Sequence, residues 1–187
     1  MIRSLFRGTP TVPPERLYGE IVAQARQPWL YTTAGVPDTV DGRFDMIVLH
    51  AFLVFDRLRR EDDEAKAFSQ AVFDQMFRDM DRSLREMGAS DVGVGPKVRR
   101  MAEVFYGRTR VYSEALEQSG KGRRQALVSA LARNVFAGGD DTAAATLAGY
   151  VLAEHDALAG RPLQGLLSGE AGFVEPEAGL NPSLSPA

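Results

Sequence analysis

Two pairs of adjacent aspartates are the residues of this sequence whose type and spacing come nearest to metal chemistry. Carboxylates one helical turn apart can share magnesium ions and hold a diphosphate, as an all-helical prenyl-transfer enzyme requires. Neither Asp62-Asp63 nor Asp140-Asp141 is followed by the further aspartate that such a site needs one turn later. Each pair instead precedes a helical pattern, where an aspartate caps the free N–H groups of the first turn. We therefore predict two helix caps and no metal site.

The two histidines are the other candidates for acid–base or metal chemistry. His50 lies inside an apolar run and has no acid or second histidine three or four positions away, so we predict a core histidine bonded to a carbonyl or a side chain. His155 lies between Glu154 and Asp156, but adjacent helical residues point away from one another and do not form a metal site. We predict a surface or boundary position for His155 and no catalytic role for either histidine.

A glycine-rich stretch, Gly93-Val94-Gly95-Pro96-Lys97, has the composition of a phosphate-binding loop. No strand pattern precedes it and the GxxxxGK[ST] spacing is absent, so a break between helices explains it better. The chain contains no cysteine, which excludes disulfides, thiolate zinc sites and cysteine nucleophiles. Taken with the aspartates and histidines, these features predict a protein that is not an enzyme and needs no cofactor.

Charge is divided along the chain, although the formal net charge is only −3. Residues 91–136 carry nine basic and four acidic side chains, a net +5, whereas residues 137–187 carry one and seven, a net −6. The middle segment is therefore a candidate surface for an anionic partner. Within it Lys121, Arg123 and Arg124 begin a predicted helix, where they oppose the helix dipole and are candidate anion ligands. The alternative is a solvated helix surface whose field the acidic C-terminal part partly cancels.

Length and composition indicate one globular domain, since 44% of the 187 residues are hydrophobic and 25% are charged. The longest apolar stretch, Met46 to Phe55, is far shorter than the ~20 residues that span a bilayer. The first residues contain no apolar run of signal-peptide length. We expect a cytoplasmic protein, with peripheral placement at the inner face of the membrane as the other option.

Apolar periodicity predicts an all-α fold, a compact bundle of about six helices. We divide the chain into an N-terminal segment over 1–14, a helical domain over 15–167 and a disordered tail over 168–187. A first helix over about 15–26 is followed by an irregular connection over 27–41. The next helix, from Phe44 to Leu58, is apolar nearly all round, which is typical of a central helix and also compatible with an exposed groove.

The remaining helices are delimited by caps, glycines and prolines. The third begins at Asp62 or Asp63 and ends at Gly88, and the fourth is expected to open at Pro96. Gly120-Lys121-Gly122 precedes the fifth helix. Asp140 or Asp141 caps the sixth.

Gly107 stands between Tyr106 and Arg108 inside the fourth predicted helix. A glycine there costs about 1 kcal/mol relative to alanine, so we predict a compensating close approach of another backbone. Plain helix packing is the alternative. Such an approach would position Tyr106, Arg108 and Tyr112.

Two segments of the chain, Asp45 to Leu58 and Asp79 to Leu116, resemble the ubiquinol-cytochrome c chaperone family. The resemblance extends over about 15–155. The motifs that carry it are His50 in an aromatic-aliphatic helix ending Arg57-Leu58, Asp79-Met80-Asp81, Leu84-Arg85-Glu86-Met87-Gly88, and Tyr106-Gly107-Arg108 with Tyr112.

The resemblance implies a non-enzymatic chaperone that binds newly made cytochrome b and assists assembly of the ubiquinol-cytochrome c reductase complex, or complex III. It also implies a small partner protein and the ribosome as further partners, and no specific nucleic acid. The alternatives are an all-helical module that binds nucleic acid or lipid through residues 91–136 and an all-helical enzyme that uses His50 or the aspartate pairs.

A chaperone for a membrane subunit needs an exposed hydrophobic surface. The candidate client-binding residues fall in two regions: Trp29, Leu30, Tyr31, Phe44, Leu49, Phe52 and Leu53; and Phe105, Tyr106, Arg108 and Tyr112. The alternative for most of them is that they fill the core. Arg108 is expected to have either a structural role, in which it orients the Tyr106 region or pairs with a helix carbonyl, or a role in contacting the client.

Overall fold

Helices form throughout the part of the chain that a computed structural model describes, residues 14–174, and no strand occurs there. In chain order they are α1 (Pro14–Ala25), α2 (Pro28–Thr32), α3 (Val40–Leu58), α4 (Asp63–Glu86), α5 (Asp91–Leu116), α6 (Gly120–Asn134), α7 (Asp141–Ala159) and α8 (Leu163–Leu167). Helices α2 and α8 have only five residues each, and the other six form the bundle. The predicted all-α bundle of about six helices is confirmed.

Helix α3 is the central helix, because it packs against α1, α4, α5 and α7. Val48, Leu49 and Val54 on its different sides are fully buried, as its all-round apolar sequence predicts. The helix begins four residues earlier than expected because the Thr39 hydroxyl caps it, accepting a hydrogen bond from the Gly42 N–H at 3.1 Å.

The two aspartate pairs cap helices, as predicted. The Asp62 carboxylate accepts from the Ala65 N–H at 2.9 Å, and the Asp140 carboxylate accepts from the Ala143 N–H at 2.8 Å. These bonds satisfy main-chain donors that the first helical turn leaves free. Gly88, with φ of +87°, follows the end of α4 in the left-handed conformation that glycine tolerates best.

The start of α5 differs from the prediction, because the helix begins at Asp91 and contains Pro96 in its interior. Ser90 caps it, and the Ser90 hydroxyl accepts from the Gly93 N–H at 3.3 Å. Pro96 removes only one main-chain hydrogen bond, and it does so near the N-terminal end of a 26-residue helix. Gly93 and Gly95 allow the helix to be interrupted but do not require it. The predicted start of the helix at Pro96 was therefore wrong.

Residues 168–174, expected to belong to a disordered tail, pack on the core instead. Ala171 is fully buried, and the Phe173 ring lies edge-on to the His50 imidazole with 5.6 Å between centroids. Two side chains hold the main chain of Val174: its N–H donates to the Glu154 carboxylate, and its carbonyl accepts from the Gln24 amide. Apolar spacing carries no signal for bonds of this kind. The rest of the expected tail, 175–187, and residues 1–13 of the N-terminal segment lie outside the described residues.

The close backbone approach predicted at Gly107 is wrong. A Cβ at that position would meet no atom within 4 Å among residues 14–174, because this side of α5 faces solvent. Gly42 is the helical glycine that a close approach requires, since a Cβ there would come within 2.0 Å of the Pro37 carbonyl oxygen. Helical periodicity in the sequence does not distinguish these two cases.

Replacing Gly107 by alanine should therefore stabilise the protein. Alanine loses less backbone entropy than glycine in an exposed helical position, so the free energy of unfolding should rise by about 1 kcal/mol at most. Urea denaturation followed by circular dichroism measures this. Gly42→Ala is the matched control and should destabilise strongly, whereas a loss of stability in Gly107→Ala would contradict the open surroundings of that glycine.

Candidate functional site

An open groove of about 610 Å³ lies where α3, α4 and α5 meet. Five aromatic side chains line this groove, and we call it the aromatic groove. They are Phe52 and Phe55 from α3, Phe73 from α4, and Phe105 and Tyr106 from α5. Its polar lining consists of Asp56, Arg59, Lys66, Ser69, Gln70, Thr109, Arg110 and Ser113.

The aromatic rings of the groove support one another. The Phe73 centroid lies 5.3 Å from that of Phe105, 5.9 Å from that of Tyr106 and 4.7 Å from that of Phe77. Phe105 is 4% exposed whereas Tyr106 is 60% exposed, because adjacent residues of a helix point about 100° apart. Tyr106 thus offers a large apolar face and a polar hydroxyl at the opening of the groove.

The ten apolar candidates for client binding divide into three sets. Trp29, Leu30, Leu49, Leu53 and Tyr112 are buried in the core, Tyr31 and Phe44 are partly exposed and pack against it, and Phe52, Phe105 and Tyr106 line the aromatic groove. The groove therefore joins one residue of the first predicted region to two of the second. The alternative of a core role describes the buried set and also applies to Phe52 and Phe105, which are 4% exposed each and belong to the core.

Sequence reasoning missed Phe55 and Phe73 as groove residues. Phe73 and Phe77 are spaced i, i+4 on α4, but they lie off the buried spine formed by Phe68, Val72 and Met76. A second apolar row beside a complete core-facing row is the signal that could have identified them.

Arg108 has a structural role in the described fold. Its guanidinium forms an ion pair with the buried carboxylate of Asp45 and donates a hydrogen bond to the Asn134 carbonyl at 3.1 Å. The pairing with a helix carbonyl that we expected is present, since Asn134 is the last residue of α6. Arg108 thereby links α5 to α3 and α6.

Replacing Arg108 by alanine should destabilise the protein by roughly 3 kcal/mol, because it leaves the Asp45 carboxylate buried without its cation. The Asp45→Asn, Arg108→Ala double variant should lose less than the sum of the single variants, since neither charge then remains unpaired. Denaturant titrations of the four proteins give the coupling energy. Strictly additive losses would show that the pair does not contribute as a unit.

A buried chain of hydrogen bonds lies on the other side of α3. The Gln24 amide donates to the Tyr150 hydroxyl at 2.9 Å, and that hydroxyl lies 2.8 Å from His50 Nε2. His50 Nδ1 lies 2.7 Å from the Met46 carbonyl oxygen, which fixes Nδ1 as the protonated nitrogen. Both ring nitrogens are thus engaged within the core.

This arrangement excludes His50 as a general base or ligand in the described fold. Burial lowers the pKa of His50 to about 4, so the imidazole is neutral at pH 7. The predicted core position with a carbonyl partner is confirmed. Within residues 14–174, no three side chains of the types that bind metals converge on one point.

Glu154 is a fully buried carboxylate next to this chain. Its Oε1 accepts from the Val174 N–H at 2.9 Å, and its Oε2 has no hydrogen-bond partner among the described residues. Burial raises the pKa of Glu154 to about 7. The folded state therefore binds a proton more tightly than the unfolded chain does, and this group's contribution to stability is lost as the pH rises through about 7.

The stability of Glu154→Gln relative to the unmodified protein should therefore rise between pH 5 and pH 8. Glutamine keeps an oxygen for the Val174 N–H and has no charge to bury. His50, whose lowered pKa acts in the opposite sense below about pH 6.5, is present in both proteins and cancels. Thermal unfolding of both proteins across this range tests the prediction, and a difference in melting temperature that does not change with pH would contradict it.

The basic middle segment is largely engaged by other groups. Arg123 contacts Asp156 at 3.1 Å and His155 Nδ1 at 2.7 Å, and Arg124 donates to the Ala145 carbonyl at 3.2 Å. Lys121 is exposed at the start of α6. His155 is 17% exposed, the boundary position that the sequence predicted. These contacts favour an internally paired surface over an anion site.

The structure is thus a helical bundle with an open aromatic groove, in which the buried histidine and the aspartate caps form structural hydrogen bonds. None of the helices over 14–174 has the combination of length and apolarity needed to cross a bilayer. Residues 32–173 match the family described as ubiquinol-cytochrome C chaperone, and the chain belongs to this family. The family predicted from the sequence is confirmed.

Two relatives are similar to the chain. The ubiquinol-cytochrome-c reductase complex assembly factor 1 of Xenopus laevis is 26% identical over 121 residues, which cover 65% of this chain and 58% of that protein. The chain thus matches less than two thirds of that relative's length. The crystal structure of the Cbp3 homolog from Brucella abortus is similar with a TM-score of 0.78 and 36% identity, over 88% of this chain and 90% of that one.

Proposed function

We propose that this protein is a non-enzymatic chaperone for assembly of the ubiquinol-cytochrome c reductase complex, and that it binds cytochrome b through the aromatic groove. Membership in the chaperone family and the name of the Xenopus laevis relative support the role in assembly. The exposed ring of Tyr106 beside the partly exposed Phe55 and Phe73 supports the mode of binding.

The observation that carries the proposal is the 60% exposure of Tyr106 above a cluster of packed phenylalanines. Each 100 Å² of apolar surface that a ligand covers contributes roughly 2.5 kcal/mol. Association costs several kcal/mol in lost freedom of motion, so a contact of groove size binds a client reversibly. Reversible binding is what a chaperone needs, since the client must leave for the complex.

Apolar segments suit the groove better than anionic ligands do. The cations at its edge are already accompanied by carboxylates: Arg59 by Asp56 at 2.7 Å, and Arg110 by Glu114 at 3.5 Å. No specific observation therefore favours the anionic-partner alternative. A small partner protein, the ribosome, and a cytoplasmic or peripheral membrane location stay predictions.

Deleting the gene should lower the amount of assembled cytochrome b, measured from the haem absorbance of isolated membranes and from the level of the intact complex. Reintroducing the unmodified gene should restore both. Complex levels that do not change on deletion would contradict the assembly role.

Tyr106→Ser should restore assembly only partly, because it removes the exposed aromatic face. Thr109→Trp, which fills the groove from α5, should act in the same way. Both positions are exposed or partly exposed, so the melting temperature of the purified variants should change little. Val40→Ser, at a 70% exposed valine on α3 outside the groove lining, is the control and should restore assembly fully. Full function of both groove variants would show that cytochrome b binds elsewhere.

A further inference from the structure

Helix α5 continues the surface of the aromatic groove toward its own N-terminus. Residues that recur at alternating intervals of three and four lie on one face of a helix. On α5 the groove residues Thr109 and Tyr106 belong to such a row, which also contains Ala102, Arg99, Gly95 and Val92. All of these residues are exposed or partly exposed, so the bundle leaves this face of α5 uncovered within residues 14–174.

The row ends at an exposed apolar tip. Val92 is 89% exposed and Met87 is 62% exposed, and they lie on the two sides of the turn between α4 and α5. On α4, Phe73, Phe77, Leu84 and Met87 follow helical spacing along one side, and none of them is buried. Exposed and partly exposed apolar side chains thus occur on both helices from the groove to the turn, with Arg99 and Asp81 among them. We call this surface the α4–α5 track.

The length of the track matches one particular kind of occupant. Val92 and the groove residue Ser113 are twenty-one positions apart on α5, which corresponds to roughly 32 Å at 1.5 Å per residue. The hydrocarbon core of a bilayer is ~30 Å thick and is spanned by ~20 apolar residues in a helix. An extended apolar peptide of the same number of residues would be more than twice as long.

We propose that the α4–α5 track binds a single apolar helix of membrane-span length, seated from the aromatic groove to the Met87 and Val92 tip. This inference rests on the proposed function and names the class of client segment. Gly95 and Ala102 allow a helix to approach closely, as small residues do between transmembrane helices. Tyr106 contacts its middle.

Charge further defines the client helix. Arg99 lies exposed in the centre of the track, and Lys66 and Arg110 lie at its groove end. Asp63 and Glu114 accompany Lys66 and Arg110 at 3.5 Å, whereas Arg99 forms no ion pair within residues 14–174. A client helix with an acidic residue near its middle therefore fits the track better than one with a basic residue.

The test uses the full chain and fluorescent helical peptides of leucine and alanine, one of twenty residues with a central glutamate and one stapled version of ten. The Met87→Asp, Val92→Asp double variant should bind the twenty-residue peptide about tenfold more weakly and the ten-residue peptide unchanged. Tyr106→Ser should weaken binding of both. Val40→Asp, at an exposed valine in the first turn of α3, should affect neither.

If the double variant binds the long peptide as tightly as the unmodified protein does, the binding site does not extend along the track to Met87 and Val92. The aromatic groove would then be the whole site. Equal binding of peptides with a central lysine and a central glutamate would overturn the charge assignment. If Tyr106→Ser bound both peptides normally, the aromatic groove would not be the binding site. That result would also contradict the proposed mode of binding cytochrome b. Melting temperatures of all variants check that the exposed substitutions leave the fold intact.

Discussion

Helix α3 has apolar side chains on all of its sides, and burying them determines how the other helices are arranged around it. A helix that is apolar all round is stable in water only when other helices surround it, and here α1, α4, α5 and α7 do so. The cover is incomplete toward the C-terminal half of α3, where Phe55 remains partly exposed beside Phe73. The aromatic groove lies at this opening, so the same helix supplies the core of the bundle and the wall of the candidate site.

Buried polar contacts specify how the covering helices are placed. The Asp45–Arg108 pair joins α3 to α5, and the chain from Gln24 through Tyr150 to His50 joins α1, α7 and α3. Buried groups of this kind are costly unless they find their partners, so they favour one arrangement of helices over others that bury similar apolar area. Glu154 extends the chain to Val174, which attaches the segment after α8 to the bundle.

Most of the fold could be predicted from local sequence patterns. Helix periodicity, the Asp62 and Asp140 caps and the all-round apolar character of α3 are local properties, and the structure confirms them. The start of α5 was predicted wrongly because Pro96 stops a helix only where its missing hydrogen bond is costly. The packing of 168–174 depends on Gln24 and Glu154, which are distant in sequence, so no local pattern reports it.

The candidate site was only partly predictable. Apolar side chains that fill a core and those that line a groove have the same composition, and only the packing separates Tyr112, which is 1% exposed, from Tyr106, which is 60% exposed. Site-specific photo-crosslinking from position 106, in cells that are synthesising cytochrome b, tests whether the aromatic groove binds this client. We expect a crosslink to cytochrome b from position 106 and none from position 40, where Val40 is 70% exposed. Crosslinks from both positions, or from neither while the complex assembles normally, would contradict it.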